Sequence, residues 1–342
     1  MATTTKIPEI QVLRGLAVLG VCIYHYFGSQ VQGNSKWYFL DNFDYGVQLF
    51  FIVSGYVIAM TIQGKKSFFR FMVSRFIRLY PAVFLIVPIA YLVGLYTNLK
   101  NDRILPHNLI PSFLLFDPNV LNQITDINYQ YVIDVMWSIS AEIYFYSLIG
   151  FLFFLLKDMN KILFALVLIS SASSSANYLR FFGIQGEPLE FFLKFSDLFN
   201  WATLIYFTFG VLFYLRKNHG IIIKWYVLLI LIVNLVATEK ITHGGSMVGF
   251  GAGSVVVMMF LAVQKIGITW RGLVWIGDAS YEIYLLHNPI LSFMRNNFPQ
   301  VANNNSVLSQ IIVLLVVIFL SILISEFYSK PMTRKLRTHY SL

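Results

Sequence analysis

The feature that most constrains this chain is a succession of apolar stretches, each close to the roughly 20 residues that an α-helix needs to cross about 30 Å of hydrocarbon. Read along the sequence, they predict about ten crossings, near residues 10–29, 44–63, 76–97, 135–156, 161–178, 195–215, 221–238, 246–264, 273–294 and 306–329. Runs of this length exclude an outer-membrane barrel, whose strands are short and alternate apolar with polar residues. Composition excludes the remaining classes. With 57% hydrophobic and 12% charged residues, the chain has about half the charge of a soluble domain and far too much apolar content for disorder. The expected fold is all-α, a polytopic transmembrane helical bundle. Within it, SSASSS (170–175) and GFGAG (249–253) supply small residues that let helices approach closely.

The basic residues sort by side. With the N-terminus inside, 16 Lys and Arg fall in cytoplasmic segments, among them Lys6, Lys65, Lys66, Arg70, Lys224, Lys330 and Arg337. Seven fall outside: Lys36, Lys100, Arg103, Arg180, Lys194, Lys240 and Arg295. The positive-inside rule therefore places both termini in the cytoplasm, and it explains the net charge of +9 without any nucleic-acid partner. The N-terminal region lacks a small-residue cleavage site and reads as the first helix itself rather than a removable signal. The whole of 1–342 reads as a single transmembrane domain with no appended soluble domain. Its longest connection, about 98–134, carries Pro106, Pro111, Pro118 and the apolar patch LIPSFLLF (109–116), which predicts a lid or a re-entrant piece.

Ionisable side chains are costly in hydrocarbon, so each within these stretches is a functional candidate: Arg14, His25, Arg78, Glu142, Asp278, Glu282, His287 and Glu326. Arg14 and His25 are eleven residues apart on one helix, which returns to within roughly 20° of the same face about 16 Å along the axis. A guanidinium at the inner mouth suits phosphate, and an imidazole deeper in suits proton transfer. The alternative is that Arg14 snorkels to the interface and His25 bonds a neighbouring helix. Arg75 and Arg78 lie i and i+3 at a helix start, an anion site as well as a topogenic signal. Ser138 and Glu142 share a face at i and i+4, with Glu142 either handling a proton or bonding between helices. His287 precedes Pro289, which predicts a kink. Asp278 and Glu282 are expected to meet Arg271 or the basic tail, and Glu326 to pair with Arg75 or Arg78. Cys22, three residues before His25, opens a thiol relay through an acyl-cysteine, or is a small buried packing residue. No metal ligand set stands out.

Six segments taken in order, Arg14 to His25 as R-x10-H, GVQLFFIVSGYVIAM (46–60), RFIRLYP (75–81), WSISAE (137–142), SYEIYLLHNP (280–289) and E-x4-P (326–331), resemble the acyltransferase-3 family of bacterial membrane O-acyltransferases. The resemblance implies a helical core of the bacterial cytoplasmic membrane that takes an acyl group, commonly acetyl from acetyl-CoA, and places it on a hydroxyl of an envelope glycan such as a surface polysaccharide or O-antigen. It implies His25 as the essential histidine, with Arg14 its motif partner, Arg75 and Arg78 as the RxxR step, and Trp137, Ser138 and Glu142 as the W-S-x-x-x-E step. Gln48 stands where many relatives carry an acid.

The functional expectation is an O-acyltransferase in which acyl-CoA docks on Arg14, Arg75 and Arg78 and His25 acts as general base. Glu142 orients the imidazole or binds the sugar, and Trp137, Ser138 and His287 line the acceptor side. The rival expectation is a transporter or flippase for a glycan precursor or organic anion, which would use the same buried charges for binding and proton coupling.

Overall fold

The computed structural model describes residues 7–28, 35–97, 102–184, 186–198, 203–219, 225–242, 247–298 and 307–340. Lys6, Lys100, Lys224 and the first residues of the expected 221–238 and 246–264 stretches lie outside these. Among the described residues every regular element is helical. The principal helices are α1 (Pro8–Phe27), α2 (Gly46–Ile62), α3 (Phe68–Tyr96), α4 (Trp137–Leu156), α5 (Met159–Phe181), α6 (Glu187–Leu198), α7 (Leu204–His219), α8 (Trp225–Thr242), α9 (Met247–Ile266), α10 (Arg271–Asp278), α11 (Ser280–Asn297), α12 (Val307–Ile324) and α13 (Lys330–His339). Six spans among the described residues are long and apolar enough to cross a membrane: Pro8–Phe27, Phe39–Ile62, Phe68–Tyr96, Asp134–Leu156, Met159–Arg180 and Val307–His339. Among the described residues Val227–Thr238 and Gly253–Ile266 are shorter apolar helices, and residues 199–202 of the expected 195–215 crossing lie outside the described residues. The stretch expected at 273–294 is two helices that meet at Ala279. Helix α11 carries Pro289 inside it, and the break between α10 and α11 falls ten residues earlier.

The chain forms two compact units. The first comprises residues 1–47, 74–137 and 260–342, and α1 is its spine. Proline at the first position starts α1 and Gly28 ends it, its N–H bonded to the Tyr24 carbonyl. Helix α1 packs against α10, α11 and α12, and two small-residue crossings bring backbones into direct contact. A Cβ added at Gly277 would lie 1.9 Å from the Gln11 carbonyl oxygen, and one at Gly15 would lie 2.5 Å from that of Leu273. On another side, a Cβ at Gly46 would lie 2.3 Å from the Ala17 carbonyl oxygen. Only glycine permits such contact.

The 102–136 connection belongs to this unit and is built rather than loose. The Asn108 side chain donates to the Asp102 carbonyl and accepts from the Gln130 N–H, and the Ser112 hydroxyl accepts from the Val132 N–H. Its apolar patch folds back on α3, with Phe113 stacked on Phe84 at 5.6 Å.

The second unit comprises residues 48–73 and 138–259. Here α2 crosses α7 at a paired glycine contact: a Cβ at Gly55 would lie 2.1 Å from the Phe207 carbonyl oxygen, and one at Gly210 would lie 2.0 Å from that of Ile52. Phe145 stacks on Phe207 beside it at 4.2 Å. The serine run expected to pack closely does so with hydroxyls: Ser173 bonds Ser196, Ser174 bonds Thr238 and Ser171 accepts from Asn234. These bonds tie α5 to α6 and α8, the device by which polar side chains join helices in lipid. Replacement of Gly277 by valine must push α10 away from α1. The expected loss is about 1–3 kcal/mol of stability, seen as a lower melting midpoint of the detergent-solubilised protein, whereas alanine at Gly272, whose Cβ meets only the Trp270 side chain at an ordinary contact distance of 3.4 Å, leaves that midpoint near wild type.

Candidate functional site

In the first unit α1 carries His25 in its last turn and Arg14 in its second. The His25 ring is half-buried, edge-on to Tyr24 at 4.9 Å and 5.0 Å from the ring of His287, tilted by 45°. The two histidines that stand far apart in the sequence are therefore neighbours. His287 is completely buried. Its Nδ1–H donates to the Tyr284 carbonyl at 2.7 Å, because a carbonyl only accepts. Its Nε2 has no hydrogen-bond partner among the described residues. Tyr26, next to His25 in the chain, donates its hydroxyl to the His287 carbonyl at 2.9 Å, which fastens α1 to α11 at this level.

A carboxylate that was not among the expected site residues completes the group. Asp134 accepts from the Asn288 side chain at 2.9 Å and from the Val135 N–H at 2.9 Å, both at Oδ1. The Tyr284 hydroxyl donates to the Val135 carbonyl at 3.2 Å. Residues 134 and 135 are thus laced to one stripe of α11. The negative charge of Asp134 and the positive charge of Arg295 both act on His25.

At the other end of α1, Arg14 acts on the buried carboxyl of Glu282, as does Lys330. Lys330 also meets Asp278 at 3.7 Å and bonds Glu326 one turn before it. Asp278 and Glu282 accordingly face the basic tail, as expected. Glu326 does not take Arg75 or Arg78 as its pair; a lysine at i+4 on its own helix is closer than anything across a helix gap. Arg75 is buried. Arg78 feels the charge of Arg337, because the Thr333 hydroxyl donates to the Ile77 carbonyl at 3.3 Å and holds α13 against α3.

Glu142 lies in the second unit. Its carboxylate accepts from the Ser54 hydroxyl at 2.5 Å and from the Tyr146 hydroxyl, and Ser54 and Tyr146 are 3.1 Å apart. Ser138, one turn earlier on α4, is buried, and Trp137 is partly exposed. Cys22 is fully buried, the setting of a packing residue rather than of an exposed nucleophile. Among the described residues no group of three His, Cys, Asp or Glu is placed to hold a metal ion.

The residues missed from sequence are Asp134, Tyr284, Asn288 and Arg337, together with Arg295, which reads as an outer-loop cation. Asp134 had a signal, standing three residues before Trp137 of the WSISAE segment, and Asn288 directly follows His287.

Comparison with known proteins bears on this geometry. The model of the acyltransferase-3 family, described as an acyltransferase domain, matches residues 7–326. A protein of Staphylococcus aureus strain COL named "Putative O-acetyltransferase" is 26% identical over 341 residues, covering 85% of this chain and 52% of its own length. The "Peptidoglycan O-acetyltransferase OatA" of Listeria monocytogenes is 25% identical over 333 residues, covering 84% of this chain and 49% of its own. The chain thus spans about half the length of the curated relatives it matches. No solved structure matches it.

Asn at position 134 keeps an oxygen for both hydrogen bonds and removes only the charge. Asp134→Asn is therefore expected to lower kcat by about 10- to 10³-fold, the range in which a nearby opposite charge favours an ionised partner, while the melting midpoint stays unchanged. A wild-type kcat would make Asp134 a brace and nothing more.

Proposed function

The chain belongs to the acyltransferase-3 family, and from that premise we propose that this multi-pass membrane acyltransferase is an O-acetyltransferase of the bacterial cytoplasmic membrane. It takes an acetyl group from acetyl-CoA on the inner side and esterifies a hydroxyl of an envelope glycan. The relative named for peptidoglycan favours that class of acceptor; a surface polysaccharide or O-antigen would present the same hydroxyl chemistry.

The observation that carries this reading is the surroundings of His25. The family's motif histidine stands half-buried against a second imidazole, and the charge of the Asp134 carboxylate acts on it. Arg14 lies eleven residues back on the same helix, about 16 Å toward its other end. In the proposed reaction a lone pair of His25 takes the proton of the sugar hydroxyl as its oxygen attacks the thioester carbonyl. The C–S bond breaks, and the departing CoA thiolate receives that proton back from the imidazolium, so the base is restored. Asp134 steadies the imidazolium while it exists. Glu142, expected to orient the imidazole or bind the sugar, is held by Ser54 and Tyr146 within the second unit.

Arg75, Arg78 and Arg337 suit the phosphates of the donor, because guanidinium forks match phosphate oxygens in pairs. Arg14 lies where the inner end of α1 would add to them, although its charge already acts on Glu282.

His25→Ala is expected to cost about 10² to 10⁴ in the rate of transfer from labelled acetyl-CoA to envelope glycan, the contribution of general-base catalysis, with insertion into the membrane intact. Full activity in that variant would remove His25 from the chemistry. Arg78→Ala is expected to raise KM for acetyl-CoA about 10-fold or more, the worth of a charged hydrogen bond, while KM for the glycan holds steady.

A further inference from the structure

Arg295 occupies the last turn of α11. It lies seven residues beyond Asn288 and eleven beyond Tyr284, which places all three within roughly 20° of one stripe of the helix. The first two already bond the 134–135 segment, so Arg295 extends that stripe by two turns past the carboxylate of Asp134. Its charge acts on both His25 and Tyr26 of α1. It is therefore the cation whose charge reaches the imidazole assigned as base.

Two of its nitrogens, Nε and Nη2, are buried and have no hydrogen-bond partner among the described residues. These two are a particular pair. Their N–H bonds point in parallel on one edge of the guanidinium, the edge that grips both oxygens of a carboxylate or phosphate side-on. A forked edge of a guanidinium buried without a partner is costly to keep, even where the rest of the side chain is partly exposed. The Oδ1 of Asp134, the carboxylate at the start of that stripe, is engaged by Asn288 and Val135.

We propose that Arg295 is a specificity residue for the acceptor: it binds a carboxylate or phosphate borne by the same glycan whose hydroxyl meets His25. The enzyme is thereby selective for anionic over neutral glycan. This rests on the acetyltransferase reading given above, since it is the acceptor, not the donor, that must present its hydroxyl at His25. A lipid headgroup offers the same phosphate, but the unpartnered nitrogens are shielded from the surface, where headgroups lie, and the charge they carry acts on the base.

The test uses the full chain reconstituted in phosphatidylcholine vesicles, with peptidoglycan fragments as acceptor, either native or with their carboxyl groups chemically reduced to alcohols. Wild type is expected to show a KM about 10- to 100-fold lower for the native fragments, the worth of charged hydrogen bonds. Arg295→Gln loses that preference and leaves KM for acetyl-CoA unchanged; Arg295→Lys, which keeps the charge but not the fork, recovers part of it. Equal KM for the two preparations in wild type, or a preference undiminished in Arg295→Gln, overturns the proposal. So does an Arg295 effect that follows the addition of phosphatidylglycerol to the vesicles rather than the charge of the glycan. Equilibrium binding of the same fragments to His25→Ala separates the two levels. Tighter binding of native fragments that vanishes in His25→Ala/Arg295→Gln supports the Arg295 site even if His25 proves dispensable for transfer, and no difference in binding ends it even if His25 is essential.

Discussion

A helix that carries titratable groups into a membrane holds them in place only if it is gripped along its length, and α1 is gripped backbone to backbone. Hydrophobic burial cannot do this between lipid-exposed helices, because lipid tails are as apolar as leucine. What remains is close van der Waals contact, which grows as backbones approach and which one methyl group abolishes. Gly277 against Gln11, Gly15 against Leu273 and Gly46 against Ala17 supply that contact on two sides of the helix. Gly15 immediately follows Arg14 in the sequence. The packing that holds α1 therefore also sets the height of the arginine and, eleven residues on, of the histidine.

The polar groups at the far end of α1 complete the hold by hydrogen bonding. Tyr26 reaches the His287 carbonyl, Tyr284 reaches the Val135 carbonyl and Asn288 reaches Asp134. Each is a directional bond in a medium of low dielectric, where bonds are strong and unmet donors are expensive. The result is a fixed set of charges around one imidazole: a carboxylate and a guanidinium, with a second ring beside it. Pre-organised charge of this kind is what stabilises a charge that forms during reaction.

Much of this was legible in the sequence, and the parts that were not have physical reasons. Helix number and type follow from apolar run length, which is why the long spans were found. Where one run became two, at Ala279, the determinant is tertiary. Gly277 must sit against Gln11, and α10 ends just after it; nothing in the run's hydropathy marks that. His25 and His287 were each visible as intramembrane histidines, but their contact spans most of the chain and no local pattern encodes it. Asp134 was passed over because charge at the edge of a long connection reads as solvated. Its partner Asn288 is 154 residues away. Arg295 read as a topogenic outer cation for the same reason. The 98–134 connection looked like a lid from its prolines and apolar patch. Its side-chain braces, Asn108, Ser112 and Phe113, are ordinary residues whose partners only the fold supplies.

The central claim is that the acyl group enters at the arginine end of α1 and leaves as an ester at the histidine end. Oriented proteoliposomes test it most directly, with labelled acetyl-CoA confined to the face that bears the basic C-terminal tail and glycan confined to the other. Ester formed on glycan across the membrane from the CoA, and lost in His25→Ala, is the expected result. Ester that forms only when donor and glycan share one compartment would contradict it.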